Sequence, residues 1–463
     1  MATPEVAEPV ADDPYAIRPG EVRGAPHNLL GRLRYLGPSV VVGAAVVGSG
    51  ELLLTSSLGS AAGISLLWWV ILSCWSKSIV QAELGRYILT TGDTYLRALG
   101  RLPGRIRGPR GPVAWPIWLQ MTASGLGLVI LGAIVGGSGQ ALALLIPGID
   151  SRLGATLVAI AALLLLASGS YRALERFMLI MVVLFTATTL ICAVAMQFTE
   201  FAVTLPMLSR GFQFEFPMQH FVLALGVYGI TGLNASENSA YSYWCIEKGY
   251  PSFIGSDPRD PGWLERAFGW IKVLQTDVWL TLVILTLATI PFYLLGAGVL
   301  HQIGVEPEGR ETVAGLSMMF TDTLGPWAIW VFGFGAFLIL FSSTVAGIAV
   351  GGRFLPEYLI ELGYLERSNL SLRLKITRGY QLIAPVVSLL LYLLIEQPVL
   401  MATLIGVVAA MLLPVQSGAT LWLQSRRMDP RVRPSRLPWA VLWLVFGFQA
   451  VMSCLVICYV VLQ

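Results

Sequence analysis

The chain has 463 residues, of which 56% are hydrophobic and 12% charged, with a formal net charge of +3. Soluble domains carry about 25% charged residues, so this composition sets aside a water-soluble globular protein, and no nucleic-acid partner is expected. Five scattered cysteines provide no disulfide framework.

In chain order, residues 1–37 come first. They are rich in Pro, Ala and charge and read as a mobile cytoplasmic tail. They lack the short apolar core and cleavage site of a signal peptide. Apolar runs then recur, many of roughly 20 residues, the length that crosses a bilayer as a helix. The runs are continuous rather than alternating, which predicts helices and not barrel strands. Eleven spans are expected, near residues 38–62, 64–90, 113–146, 153–169, 174–198, 217–246, 267–300, 324–352, 379–395, 398–424 and 437–462. The third, sixth and seventh are long enough to be tilted or broken. The fold class is therefore an all-α polytopic membrane protein of about 11 transmembrane helices, with the lipid bilayer as its first partner.

The distribution of charge orients the spans. Basic clusters at Arg18 to Arg34, Arg97 to Arg110, Arg172 and Arg176, Lys248 to Arg266, Arg353 to Arg378 and Arg426 to Arg436 all fall on one side. They hold 24 of the 30 Lys and Arg residues. The other side has Arg152, Arg210 and Arg310 and an acidic loop with Glu306, Glu308 and Glu311. By the positive-inside rule the N-terminus is cytoplasmic and the C-terminus extracytoplasmic, in a multi-pass protein of the plasma (inner) membrane.

Ionisable residues in hydrocarbon are costly and mark functional sites. Glu51 follows Gly48-Ser49-Gly50 in span one, and Glu237 lies in Asn234-Ala235-Ser236-Glu237-Asn238 in span six. Both stretches are rich in glycine and small polar residues, and glycine weakens a helix by about 1 kcal/mol relative to alanine. Helices broken there free backbone groups near the midplane, where transporters bind ions and small solutes. Span one opens the chain and span six opens a second set of five. A 5+5 inverted repeat follows, with residues 38–200 as helices 1–5, 217–424 as helices 6–10, and 437–463 as an additional helix. The expected substrate site is Gly48, Ser49, Gly50, Glu51, Asn234, Ala235, Glu237 and Asn238, with Glu51 and Glu237 as metal ligands if the solute is a metal. The competing reading makes each glutamate a neutral packing residue beside glycines that serve close helix contact.

Other polar residues carry weaker signals. Lys77 is deep enough in span two to pair with a carboxylate, whereas Arg86 is expected to reach toward the interface. Ser342, Ser343 and Thr344 either line a cavity or bond the preceding turn. Pro217-Met218-Gln219-His220 has the look of a metal motif, but it sits at the outer end of span six and is not expected to bind one. No nucleophile–His–acid set, phosphate-cradling loop or zinc spacing appears, so neither an enzyme nor a cofactor is expected.

The chain resembles the NRAMP divalent-metal transporter family, within the larger group sharing the LeuT fold. The resemblance begins at Gly37-Pro38 and runs through Gln81, Arg86 and Thr91-Gly92, which fit the family's Q-x4-R-x4-T-G pattern. Tyr241-Ser242-Tyr243-Trp244 and Glu247-Lys248-Gly249-Tyr250 are similar to a divergent bacterial branch. Against the family's span-one D-P-G-N stand Gly48-Ser49-Gly50-Glu51, and against its span-six M-P-H stand Ala235-Ser236-Glu237. The acidic relay of span three has no counterpart between Gln120 and Leu145, and the span-ten glutamine appears as Leu412.

What the resemblance implies is a LeuT-like bundle, with broken helices 1 and 6, that moves a divalent cation. A thioether selects soft metals, whereas carboxylates and carbonyls suit Mg²⁺, Ca²⁺ or Mn²⁺. Losing the methionine and gaining Glu237 predicts a harder ion, Mg or Mn like, and losing the span-three acids predicts weak or absent proton coupling by the family's route. The alternative is a LeuT-fold carrier of a small organic solute. The sequence leaves the oligomeric state open.

Overall fold

The computed structural model describes residues 13, 15–18, 20–35, 49–168 and 171–462. In lipid each backbone amide and carbonyl must be satisfied within the protein, and the apolar runs meet that demand as helices. In span one Ser49 and Gly50 are already helical, a π turn covers Glu51–Thr55, and Ser56–Ala62 follows up to Gly63. Spans two to five are Leu67–Thr91, Trp115–Leu145, Ser151–Ser168 and Tyr171–Met196. Span six is two half-helices, Phe221–Ile230 and Ala235–Glu247. Span seven runs from Trp263 through a π turn at Gly296–Leu300 to Ile303. Spans eight to eleven are Ala328–Glu361, Leu370–Ile395, Pro398–Arg426 and Arg436–Leu462.

Each expected span thus has a helical counterpart, and of the three long ones it is the sixth that breaks. Among the described residues seven helices are by themselves long and apolar enough to cross a membrane. Span two falls short through Lys77, Glu83 and Arg86, and span six is divided. The connecting elements were not anticipated. They include the helices Tyr95–Gly100, Leu205–Arg210, Tyr250–Ile254 and Thr312–Leu324, and a hairpin pairing Arg105–Gly108 with Gly111–Ala114.

Span three is central and packs against spans four, eight, nine and ten, while the first half of span six lies on span ten. That crossing is set by glycine: a Cβ on Gly229 would fall 1.8 Å from the Gly406 carbonyl oxygen. Small residues let helix backbones approach where lipid supplies no hydrophobic drive for association. Leu164, Ile383, Leu394 and Leu444 project from the outside of the bundle, each more than 60% exposed, as side chains that face lipid tails do.

The end of the bundle that carries the basic clusters holds the described part of the N-terminal segment. Its described residues between Asp13 and Tyr35 were expected to belong to a mobile tail, yet Asp13, Tyr15 and Arg23 among them dock on the bundle. Asp13 pairs with Arg97 and Arg373, Tyr15 packs edge-on against Tyr243, and the Arg23 amide donates to the Phe253 carbonyl. A buried carboxylate facing two arginines and a backbone bond outweigh the segment's polar composition.

The opposite end is sealed by polar contacts. Ser60 donates to the Val305 carbonyl, Tyr293 to the Gly63 carbonyl, and the Gln140 amide to the Gly309 carbonyl. Glu396 accepts from both Arg152 and Arg310, tying span four to two loops at that end. The hydrogen bond from Arg152, with help from Arg310, holds the Glu396 carboxyl below its ordinary value of 4.5. A lowered folded-state pKa gives stability that is fully present above the ordinary value and disappears as pH falls through the lowered one. The thermal midpoint of the wild type should therefore exceed that of Glu396→Gln by a constant amount near neutral pH. The gap should close as pH drops below about 4.5. A gap that persists at pH 2 would assign the effect to shape and not to charge.

Candidate functional site

The break in span six organises the centre of the molecule. In an uninterrupted helix the Gly232 amide would donate to the Tyr228 carbonyl, four residues back. Gly232 instead adopts φ +72, a region that suits glycine, and the chain turns away. The two halves of that lost bond go to two buried ionisable side chains. The Gly232 amide donates to Glu51 Oε1 at 3.2 Å, and the Tyr228 carbonyl accepts from Lys77 Nζ at 2.7 Å. The Thr231 carbonyl is a second acceptor for Lys77, and Thr289 Oγ1 donates to Glu51 Oε1 at 3.4 Å. Thr55 and Thr231 share a hydroxyl–hydroxyl bond of 2.9 Å. Spans one, two and seven thus clasp the open end of the first half-helix, and both Glu51 and Lys77 are fully buried.

The second half-helix starts with a capping box. Asn234 Oδ1 accepts from the Glu237 amide at 2.9 Å, and Glu237 Oε2 accepts from the Asn234 amide at 2.8 Å. An N-cap of this kind stabilises a helix by ~1 kcal/mol. The N-x-x-E spacing at residues 234–237 is its sequence signature. Amides 232 and 234 are two residues apart, so the Glu51 and Glu237 oxygens bound to them lie within about 13 Å.

A cavity of about 350 Å³ reaches from this break toward the basic end. Ser49, Gly50, Asn234, Ala235, Ser236 and Glu237 border its inner end, and Trp244, Phe354, Tyr358 and Tyr380 its basic-end stretch. The walls are largely apolar, and Glu237 is the single charged side chain among the described lining residues.

The residues expected to form one site are therefore divided. Ser49, Gly50, Asn234, Ala235 and Glu237 face the cavity. Glu51 lies behind the break as an acceptor for its freed amide. Asn238 is buried and donates to Gln416 Oε1 at 3.2 Å. Gly48 lies outside the described residues, as does Gly37-Pro38. The described part of span one is helical from Ser49, so the expected interruption does not fall within Ser49, Gly50 or Glu51.

Two expectations for span two change. Lys77 bonds carbonyls and not a carboxylate, because the end of a helix presents partial negative charge. Arg86 does not reach for the interface; it is buried and pairs with Glu83 at 3.0 Å, which Gln424 also contacts at 2.9 Å. In span eight Ser343 borders the cavity, while Ser342 and Thr344 bond the preceding turn. Residues missed in the sequence are Thr289 and Gln416. Gln416 lies two residues beyond Pro414 and donates to the Ala235 carbonyl at 3.2 Å. Its signal was a glutamine in the middle of an apolar span. Among the described residues no three His, Cys, Asp or Glu side chains gather as a metal cluster.

A bundle with a split helix at its midplane, a cavity leading from that split to one end and a seal at the other defines an α-helical membrane transporter. The family model described as natural resistance-associated macrophage protein-like (Nramp) matches residues 39–459, and the chain belongs to this family. Among solved structures, a mutant of the Eremococcus coleocola manganese transporter superposes with a TM-score of 0.63 at 16% identity, covering 94% of this chain and 89% of that one. Mhp1, a nucleobase-cation-symport-1 family transporter, superposes in its closed form with a TM-score of 0.59 at 15% identity, covering 91% and 90%. The inward-facing form of Mhp1 gives the same TM-score and identity, with 95% and 92% covered. These likenesses establish the LeuT-type fold. No curated protein matches the chain by sequence.

Proposed function

We propose that this protein carries a divalent metal cation of hard character, Mg or Mn like, across the plasma membrane. The cation is held at the inner end of the cavity by Glu237, Asn234 and the backbone around Ser49 and Gly50. The observation that carries this reading is Glu237, a lone carboxylate at a helix break that faces a cavity. Membership of the Nramp family and the manganese transporter named among the similar structures support the metal. A site with one carboxylate, an amide and hydroxyls suits an ion that keeps part of its water shell, as Mg²⁺ does. With the basic clusters cytoplasmic, the cavity faces the cell interior and the Glu396 seal faces outward. Helices 1–5 and 6–10 act as the two repeats, with span eleven as an addition. Span three supplies no acidic relay, so proton coupling by the family's usual route is weak or absent.

The apolar and aromatic walls favour a second reading, a small organic cation seated on Glu237. Purified protein in liposomes separates the two. Uptake of Mg²⁺ or Mn²⁺ down an imposed gradient is expected, with alkylamines neither transported nor competing. Amine uptake with every divalent ion immobile would transfer the function to the second reading.

A further inference from the structure

Lys77 is a buried ammonium with no carboxylate within 4.0 Å among the described residues. Burying such an ion costs several kcal/mol unless the surroundings replace its water. What surrounds it is the end of a half-helix. Nζ donates to the Tyr228 and Thr231 carbonyls, and the Tyr228 ring lies 5.5 Å from it. Ser73 Oγ lies 3.2 Å from each of the same two carbonyls. Two carbonyls and the negative end of a helix are the hard oxygen donors and field that hold a cation. Half-helix C-termini and unwound carbonyls do this for ions at helix breaks.

We infer that Lys77 is a built-in cation: its ammonium fills a carbonyl seat at the split in span six that would otherwise take a monovalent alkali cation from solution. The wild-type carrier consequently needs no dissolved co-ion at this helix end. The charge of Glu51 across the break is faced by a cation that never leaves, while Glu237 is the carboxylate that meets the solute. The seat is not part of the cavity wall, and the inference stands whether the solute is a metal or an amine.

The test replaces Lys77 and supplies the ion. Full-length wild type, Lys77→Met and Lys77→Gln are purified in detergent, and thermal midpoints are measured in NaCl, KCl and choline chloride at equal ionic strength. The wild-type midpoint is expected to be the same in all three salts. Lys77→Met should melt lower in choline chloride and recover in Na⁺ or K⁺. The recovery should rise with the logarithm of ion concentration, as a bound ligand requires. Lys77→Gln keeps a donor for one carbonyl and removes the charge, which preserves folding where the methionine variant fails; it should gain the same response. A merely structural cap would leave both variants weakened equally in every salt, and that result would overturn the inference. So would a wild-type midpoint that already depends on Na⁺ or K⁺, or two variants that fold in none of the salts.

Discussion

Glu237→Gln is expected to weaken solute movement strongly while the protein stays folded. Glutamine serves at the third position of a capping box as glutamate does, so the bond to the Asn234 amide survives. What is lost is the charge facing the cavity. Charged hydrogen bonds contribute ~1.5–3 kcal/mol, so affinity should fall roughly 10- to 100-fold by the usual conversion. Uptake into liposomes and the thermal midpoint, measured together, separate the two effects: transport drops and the midpoint barely moves. Asn234→Ala should do the converse to the midpoint, lowering stability by ~1 kcal/mol through loss of the cap. Unchanged uptake in Glu237→Gln would remove this carboxylate from the site.

Glu51 should respond to substitution in another way. Its Oε1 takes the Gly232 amide and the Thr289 hydroxyl, so Glu51→Ala leaves a buried N–H without its acceptor. Such an orphan costs about 1–3 kcal/mol, enough to lower yield and thermal midpoint visibly. Glu51→Gln retains a carbonyl oxygen in the same place and is expected to recover much of that loss. Transport by Glu51→Gln should exceed transport by Glu237→Gln. Were the order reversed, with Glu51→Gln stable yet inactive, the amide acceptor would have to be the solute-binding group.

Much of the architecture was legible because lipid removes alternatives. A run of about 20 apolar residues in a bilayer has to close its hydrogen bonds internally, so each of the eleven spans could be read from composition. The split of span six was legible for a related reason: Gly229, Gly232 and Asn234 weaken or cap helices wherever they occur. The docking of Asp13 against Arg97 and Arg373 left no trace in the local pattern, because those residues come from three distant segments. Composition alone made that segment a tail.

The candidate site was half legible. Burial of charge singled out Glu51, Lys77 and Glu237, since nothing else excuses an ionisable group at that depth. Their roles could not be assigned along the chain. Glu51 and Glu237 look alike as sequence, each an acid among glycines and small polar residues, yet one closes a severed backbone bond and the other meets the cavity.

The sequence by itself determined a membrane bundle of eleven helices, its basic and acidic ends and the place where span six gives way, though not the course of span one. Those features depend on local composition and on the solvent. The tertiary structure alone decided which freed backbone group each buried charge satisfies. A hydrogen bond needs its partner within about 3 Å, and Glu51 reaches the Gly232 amide, and Lys77 the Tyr228 carbonyl, through packing that no stretch of chain encodes locally.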